Sequence, residues 1–301
     1  MTNRILEKAR MGESIVMDGD NNTVRVLDST GFVRLVDTMG DDSSIVQAAR
    51  TSYGRGTKST REDAGLIRYL MRHQHTTPFE MCEYKFHIKC PIFVARQWLR
   101  HRTASVNEYS LRYSEARDEF YSPPQFFGQD DKNRQSSSER GIGDQYNAHD
   151  TVGAANTDAY SKYQNLLSLG VSRETARIVL PVSSYTEFYW KIDLHNLFHF
   201  LQLRLDSHAQ YEIRAFASAV AEFVKEKNPL AWQAFKEYKL EAETFSAGEV
   251  RLLRHIINVF LDEYDLLNKE WYNYFGDDPT DKTLEQRRSE LLEKLDIDGS
   301  V

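Results

Sequence analysis

Strand-like and helix-like patterns alternate along this chain, and the alternation limits its fold more than any other feature. Residues 83–89 alternate apolar and polar side chains as a half-buried strand does, and Pro91 suits the first turn of a helix that runs to about Arg100. Similar patterns predict strands over 31–37 and 186–192 and helices over 194–205 and 209–224. Interleaved strands and helices predict a mixed α/β (α+β) fold, in which helices pack on a sheet.

We expect one domain over residues 1–301, because hydrophobic residues make up 41% of the chain and can bury a single large core. That core is predicted over about 31–244. Residues 128–158 are rich in glycine and serine and poor in large apolar side chains, which is typical of a mobile loop. Residues 245–301 are predicted to form a helical C-terminal extension.

Charge and hydropathy argue against several classes of protein. The chain carries 38 basic and 45 acidic side chains, a net charge of −7, which argues against a general nucleic-acid binder. Its longest apolar runs are far shorter than the ~20 residues that span a bilayer, and no apolar signal segment opens the sequence. Two cysteines, Cys82 and Cys90, are too few for a disulfide framework. We therefore expect a cytoplasmic protein with no membrane or nucleic-acid partner.

The segment from Pro91 to Arg117 is positively charged although the whole chain is acidic. It contains five arginines and two glutamates, a net charge of +3. Arg96 and Arg100 are four residues apart and share a face of the predicted helix, and guanidinium groups bind phosphates in bidentate geometry. A local cationic site of this kind suits a small anionic ligand. A solvated charged face with ordinary ion pairs is the alternative.

The same segment carries a motif. Its fixed residues are Arg100-His101-Arg102, Ser105, Asn107-Glu108, Ser110 and Arg112-Tyr113. They match all nine fixed positions of RHRxxSxNExSxRY, the fourteen-residue signature of the flavin-dependent thymidylate synthases. Residues 75–80, 176–181 and 203–213 also resemble segments of that family, so the resemblance extends over roughly 31–240.

The resemblance implies a function and an assembly. The family converts dUMP to dTMP with 5,10-methylenetetrahydrofolate as the carbon donor and NADPH as the reductant, and FAD carries the hydride. Its fold is a mixed α/β chain that forms a homotetramer, with each active site built from several subunits. No cysteine nucleophile is required, so Cys82 and Cys90 are expected to have a buried, apolar role.

The resemblance also assigns residues. Arg204 is the expected catalytic residue, because a guanidinium against the uracil ring would stabilise the anion that develops there. His75 is a candidate gating residue. The expected cofactor contacts are Thr77, Glu80, Arg100, His101, Arg102, Glu108, Asp193, His195 and His199. The expected dUMP contacts are Gln97, Trp98, Leu99, Arg100, Glu108, Tyr109, Ser110, Leu111, Arg112, Arg177 and Arg204.

One element departs from the family pattern. The family often has an N-x-R element followed four residues later by Asn, whereas this chain has Asp193, His195 and His199. Histidine can still donate a hydrogen bond to flavin or phosphate oxygens. His195 and His199 also have the i, i+4 spacing of a zinc pair, but the glutamate of a HExxH motif is absent and no metal is predicted.

Two other functions remain open at the level of sequence. A flavin oxidoreductase could share the cofactor site without methyl transfer, but it would be expected to lack the anion-binding set of Ser110, Arg112 and Arg177. A non-enzymatic nucleotide-binding or RNA-binding module would be expected to be basic overall.

Overall fold

The computed structural model describes residues 15–17, 22–51, 60–131, 137–261 and 291 of the chain. The chain divides into two compact units, Met1–Leu240 and Glu241–Val301. The second unit contains a helix at Ala247–Leu261, so the described part of the predicted extension is helical. The remainder of the extension, apart from residue 291, lies outside the described residues.

The first unit interleaves strands and helices. Its strands are β1 (Ile15–Met17), β2 (Thr23–Val26), β3 (Gly31–Met39), β4 (Glu83–Pro91), β5 (Ser105–Glu108), β6 (Phe127–Gln129), β7 (Ser137–Gly141) and β8 (Tyr185–Asp193). Its α-helices are α1 (Asp42–Arg50), α2 (Thr60–Arg72), α3 (Ile92–Trp98), α4 (Gln145–Ser168), α5 (Arg173–Ala176), α6 (Leu194–Arg204), α7 (Tyr211–Lys227) and α8 (Pro229–Phe235). None of the helices in the described part of the chain is both long and apolar enough to cross a bilayer.

Six strands form one antiparallel sheet in the order β1-β2-β3-β4-β8-β5. β4 lies in its centre and pairs with β8 in continuous register, from Glu83 opposite Asp193 to Pro91 opposite Tyr185. β5 pairs with the outer side of β8. The predicted mixed α/β fold is therefore confirmed, and the strand pairing brings both flanks of the arginine-rich segment against β8.

The alternation in β4 and β8 separates a core face from a polar face. Phe86 and Ile88 of β4 and Phe188 and Trp190 of β8 are buried. The long helix α7 packs on this sheet, contacting β2 and β3. Gly31 permits that close approach, because a Cβ there would lie 2.9 Å from the ring of Phe216 in α7. The sheet and the buried helix α7 thus form the packed core that supports the site residues.

The prediction of a mobile loop over residues 128–158 is wrong for its second half. A two-stranded hairpin of β6 and β7 begins the region, and α4 begins at Gln145 and continues to Ser168. Asp144 starts the helix by accepting a hydrogen bond from the backbone N–H of Asn147 at 3.0 Å. Gly153 faces open space, so the exposed side of α4 tolerates the small residues that suggested a loop.

Candidate active site

Helix α6 carries three of the predicted site residues, and Asp193 fixes where it begins. The Asp193 carboxylate accepts hydrogen bonds from the backbone N–H of Asn196 at 2.9 Å and from the Asn196 side chain at 2.7 Å. Both carboxylate oxygens are thus engaged by the helix itself. The contribution of Asp193 visible in this structure is to orient the turn that presents His195 and His199.

A cavity of about 170 Å³ opens beside α6. It brings together three residues that the sequence assigned to the cofactor or to gating, namely His75, His195 and His199. The other lining residues are Leu70, Met71, Gln74, Thr76, Phe79, Phe198, Gln202, Phe235 and Lys239. No carboxylate lies among these lining residues. The cavity therefore has an apolar wall and a set of polar side chains with hydrogen-bond donors, which suits an anionic group on a larger ligand.

The end of helix α2 positions His75 at this cavity. The backbone N–H of His75 donates to the carbonyl of Leu70 at 2.9 Å, and that of Gln74 donates to the carbonyl of Met71 at 3.3 Å. This is a Schellman motif, which usually places glycine where Gln74 lies. Gln74 has φ +58, in the left-handed region, at a cost of roughly 1 kcal/mol. The chain keeps a polar side chain there, and that side chain lines the cavity.

Two more predicted cofactor contacts, Thr77 and Glu80, follow directly in the chain. They lie in a 3-10 turn, Thr77–Met81, that begins immediately after the cavity residue Thr76. Phe79 in the same turn is buried and lines the cavity wall. The turn therefore places Thr77 and Glu80 beside the cavity, although neither is among its lining residues.

A hydrogen bond joins the predicted catalytic residue to a predicted cofactor residue. Nε of Arg204 donates to Nε2 of His101 at 3.1 Å, and Nη2 of Arg204 donates to the backbone carbonyl of Gln97 at 3.4 Å. The ring of His101 lies 5.9 Å from that of His199, which lines the cavity. Arg204 is thus fixed at two points and is connected to the cavity through two histidine rings.

The state of His101 follows from its surroundings. Burial, the positive charge of Arg204 and the proximity of His199 together lower the pKa of His101 from 6.5 to about 4, and burial is the largest of the three causes. His101 is therefore neutral at neutral pH and can accept the Arg204 hydrogen bond through Nε2. Burial also lowers the pKa of Arg204, but a guanidinium stays protonated in a protein.

The predicted dUMP contacts at the end of helix α3 differ in their exposure to solvent. Gln97 and Leu99 are accessible, whereas the side chain of Trp98 is buried. Trp98 is a predicted dUMP contact, but its side chain is 0% exposed, which leaves its backbone for that contact. Its ring packs against Phe188, Trp190, Phe200 and Phe216. Trp98 instead anchors the end of α3. Gln97 donates to the side chain of Gln210 at the start of α7, and Leu99 is exposed.

Arg100 and Arg102 follow α3 and are exposed. Neither makes an ion pair with any residue that the structure describes. The alternative of a solvated charged face with ordinary ion pairs therefore holds for the solvent exposure of these two side chains but not for the ion pairs. They remain available to an anionic ligand.

The second half of the arginine-rich segment forms a separate group around Glu174. Nε and Nη2 of Arg112 lie 3.0 and 2.9 Å from one Glu174 carboxylate oxygen, and Nε of Arg177 donates to the Glu174 carbonyl at 3.1 Å. Ser110 accepts from the backbone N–H of Arg112 at 3.3 Å. Arg112, Arg177 and Ser110 are thus close together, as a shared ligand would require.

The remaining predicted contacts of this segment lie beside that group. Glu108 ends β5, and its carboxylate accepts from the Thr186 hydroxyl at 2.7 Å. The backbone N–H of Tyr109 donates to the carbonyl of Glu187, and Leu111 packs against a small cluster that includes Tyr163. Within the described part of the chain, no hydrogen bond or ion pair joins the group around Glu174 to the group around Arg204.

Several residues at these sites were not found from sequence. Gln202 lies three residues after His199 on the same face of α6, so helical spacing could have found it. Gln74, Gln210, Glu174 and Lys239 carried no such signal, because each reaches its site through tertiary packing. In the described ranges, no group of three or more His, Cys, Asp or Glu side chains is placed to hold a metal ion.

Sequence comparisons place the chain in a family of known proteins. Residues 34–230 match the model of one family, the thymidylate synthase complementing protein family, and the chain belongs to that family. The chain is 59% identical over 235 residues to a flavin-dependent thymidylate synthase of Thermus thermophilus, covering 78% of this chain and 86% of the relative. It is 52% identical over 255 residues to the enzyme of the same name from Wolbachia pipientis, covering 82% of this chain and 89% of the relative.

Solved structures show the same likeness. The chain resembles the UMP/dUMP methylase PolB from Streptomyces cacaoi, solved with 5-Br dUMP, with a TM-score of 0.65 and 34% sequence identity. The match covers 70% of this chain and 96% of the methylase. The same enzyme solved with 5-Br UMP matches with a TM-score of 0.65 and 36% identity, over 71% of this chain and 97% of that one.

The residues present fit a flavin dinucleotide. Such a cofactor combines an apolar ring system with a pyrophosphate. The cavity has an apolar wall, in which the rings of Phe198 and Phe235 stack with their centroids 4.4 Å apart. Polar side chains line the rest of the cavity, and none of the lining residues is a carboxylate. The exposed guanidinium groups of Arg100 and Arg102 add positive charge on the neighbouring segment.

Proposed function

We propose that this chain is a flavin-dependent thymidylate synthase that converts dUMP to dTMP. 5,10-Methylenetetrahydrofolate donates the carbon and NADPH is the reductant. Bound FAD supplies the hydride chemistry, and the residues of this chain bind and orient the reactants. We further propose that the chain acts as a homotetramer. The family membership and the names of the relatives support the activity, and the co-substrates and the assembly rest on the resemblance.

One observation carries the proposal, the hydrogen bond from Arg204 to His101. It connects the residue expected to face the uracil with a residue expected to contact the flavin. Because Nε of Arg204 donates a hydrogen bond to the neutral ring of His101, the guanidinium plane is fixed before substrate binds. A preorganised donor of this kind stabilises charge that develops in the transition state without reorganising at the moment of reaction.

The role of Arg204 is to stabilise the uracil anion. For carbon 5 of the ring to act as a nucleophile, negative charge must build up on N3 and O4. A guanidinium can donate to two neighbouring acceptors at once, which an ammonium group cannot do with the same fixed geometry. We infer that the guanidinium N–H groups that donate neither to His101 nor to the Gln97 carbonyl face the pyrimidine.

The dUMP phosphate is assigned to the group that contains Ser110, Arg112 and Arg177. Guanidinium groups and a hydroxyl are common ligands of a phosphate dianion. Because no hydrogen bond or ion pair joins this group to Arg204 within the described chain, we propose that a second copy of the chain completes each site. Arg204 would then come from one subunit and the phosphate group from another.

Neither cysteine is suited to attack the uracil. Cys82 and Cys90 are both 0% exposed. Burial raises the pKa of Cys82 to about 12 and raises that of Cys90 well above the ordinary value, so neither thiol ionises near neutral pH. We expect the double variant Cys82→Ala, Cys90→Ala to keep its rate of dTMP synthesis within about tenfold, allowing for the small cavities it creates.

The proposal is tested with purified full-length protein. We expect the protein to be yellow, to release FAD on denaturation, and to form dTMP from dUMP only when methylenetetrahydrofolate and NADPH are both present. UMP is assayed beside dUMP as a second candidate substrate, because a structural relative is named as a UMP/dUMP methylase. A protein that binds no FAD, or one that oxidises NADPH without methylating a nucleotide, would refute the proposal.

A further inference from the structure

Lys239 is the lysine of the cavity beside α6, and it lies outside the residues that match the family model. That match ends at residue 230. Lys239 belongs to a single π-helical turn, Lys236–Leu240, that continues directly from α8. Short π-helical turns are rare and often occur at functional sites. Here the turn keeps Lys239 on the same side as Phe235, and both line the cavity.

No carboxylate lines the cavity beside Lys239. Its side chain is half-buried, and it makes no ion pair or hydrogen bond with any other residue that the structure describes. None of the residues that line the cavity with it is Asp or Glu. A partly desolvated ammonium group without a partner is unfavourable, and an anionic ligand would remove that cost.

The other polar side chains around Lys239 suit the same ligand. His195, His199 and Gln202 lie on one face of α6, and Gln74 faces them from the end of α2. Imidazole and amide groups can each donate hydrogen bonds to phosphate oxygens, and the ammonium of lysine adds three donors and a full charge. The cavity thus offers one fixed cation surrounded by neutral donors.

The size of the cavity limits what enters it. A volume of about 170 Å³ is smaller than the pockets of roughly 300–1,000 Å³ that enclose whole drug-sized ligands. A complete dinucleotide would therefore place only one part of itself in the cavity. A phosphate-bearing part fits the charge, while Met71 and Phe198 offer apolar contact to the adjoining atoms.

We propose that Lys239, assisted by His195, His199 and Gln202, binds the pyrophosphate of a dinucleotide cofactor in this cavity. The inference rests on the proposed function for its choice of dinucleotides. FAD and NADPH both carry a pyrophosphate, so either could supply the group, and the experiment distinguishes them.

The variant Lys239→Met removes the charge and keeps an unbranched apolar stem, and Lys239→Gln is a second neutral replacement. Lys227→Met is the control, because Lys227 at the end of α7 is half-buried as Lys239 is, pairs with Glu226 at 2.8 Å and does not line the cavity. For each full-length protein, freed of bound flavin, the dissociation constants of FAD and riboflavin are measured at low and high salt. Riboflavin has neither the pyrophosphate nor the adenosine of FAD, so it reports the part of the site that binds the isoalloxazine ring.

If the pyrophosphate belongs to FAD, we expect both Lys239 variants to bind FAD at least tenfold more weakly, with less salt dependence, and to bind riboflavin as the wild type does. If it belongs to NADPH, FAD binding is unchanged and the KM for NADPH rises at least tenfold. The Lys227→Met control should match the wild type in every measurement.

Unchanged FAD affinity together with unchanged KM for NADPH would overturn the inference and leave the proposed function intact. An equal loss of FAD and riboflavin affinity would also overturn it, because the effect would not depend on the phosphates. A wild-type protein that bound neither flavin would instead refute the proposed function.

Discussion

The two cationic groups of this chain differ in how their charges are compensated. Around the cavity and α3, Lys239, Arg100 and Arg102 make no ion pair with the residues that the structure describes. In the other group, Glu174 pairs with Arg112 at 2.9 Å and accepts from Arg177 through its carbonyl. An anion can bind the first group without displacing another partner, whereas in the second group it has to compete with the carboxylate of Glu174.

The difference agrees with the proposal that the first group binds the cofactor and the second binds the substrate phosphate. A cofactor that stays bound benefits from charges that nothing else satisfies. A substrate that must leave as product benefits from a site whose arginines have an alternative partner. The pair of Arg112 and Glu174 is exposed, with 52% and 57% of the two side chains accessible, so it contributes only about 0–1 kcal/mol. A phosphate dianion can displace it at little cost.

The largest effect is expected from Arg204, which belongs to the first group. Arg204→Ala should lower kcat by about 10²–10³, because one donor to a developing anion is lost, while FAD stays bound. Arg204→Lys should recover only part of the rate, since a point charge lacks the planar geometry. Steady-state rates and flavin absorbance measure both effects. A normal kcat in Arg204→Ala would refute the assigned role.

A smaller effect, confined to substrate, is expected from Arg177 in the second group. Arg177→Ala should raise the KM for dUMP by about 10–100-fold, because a charge-assisted hydrogen bond to phosphate is lost. FAD affinity should be unchanged. If flavin and dUMP affinity fall together, the division of the two groups into a cofactor site and a substrate site is wrong.

Replacing His101 should lower kcat by about tenfold and should change the pH dependence of stability. His101→Phe keeps a ring against Phe200, whose centroid lies 5.0 Å away, but removes the acceptor for Arg204, a hydrogen bond worth roughly 1–2 kcal/mol. The variant should bind dUMP with little change, and its kcat should fall.

The pH dependence follows from the lowered pKa of His101. Unfolded protein takes up the His101 proton near pH 6.5, and folded protein takes it up only near pH 4. Folding therefore opposes protonation, and this contribution to stability is lost as pH falls from 6.5 to 4. The melting temperature of His101→Phe should fall less steeply over that range than that of the wild type. Parallel profiles would show that His101 is not held neutral.

The smallest effect is expected from Glu174. Glu174→Gln removes the competing carboxylate charge, so dUMP should bind more tightly, by up to about fivefold, given the low energy of an exposed ion pair. Glu115→Gln is a matched control, because Glu115 pairs with Arg173 at 3.1 Å and is similarly exposed, but contacts neither Arg112 nor Arg177. Weaker binding in Glu174→Gln would mean that Glu174 orients Arg112 and does not compete for it.

The strands β3, β4 and β8 and several of the helices were predictable because their patterns are local. The alternation of residues 83–89 and the helical spacing of 194–205 both survive in β4 and α6. The first part of helix α4, over residues 145–158, was missed because its exposed side is made of small and polar residues. Its cap, Asp144, cannot be distinguished by residue type from an aspartate in a loop. The burial of the Trp98 side chain does not test its predicted contact with dUMP, because the backbone of a buried residue can still reach a ligand.

The site was predictable only in part, for the same physical reason. His75, His195 and His199 were named from sequence and do converge on one cavity. Lys239 reaches that cavity through a π-helical turn, and Gln74 reaches it through a left-handed backbone conformation. Neither conformation is signalled by residue type, because glutamine is not a residue that favours positive φ.

A single-turnover experiment without oxygen tests the central claim, that this chain methylates dUMP through a bound flavin oriented beside Arg204. The full-length protein with reduced flavin is mixed with dUMP and methylenetetrahydrofolate, and dTMP and flavin absorbance are followed together. We expect the wild type to form dTMP as the flavin returns to its oxidised spectrum, and Arg204→Ala to keep its flavin reduced over the same time. Formation of dTMP with no change in the flavin spectrum would contradict the account.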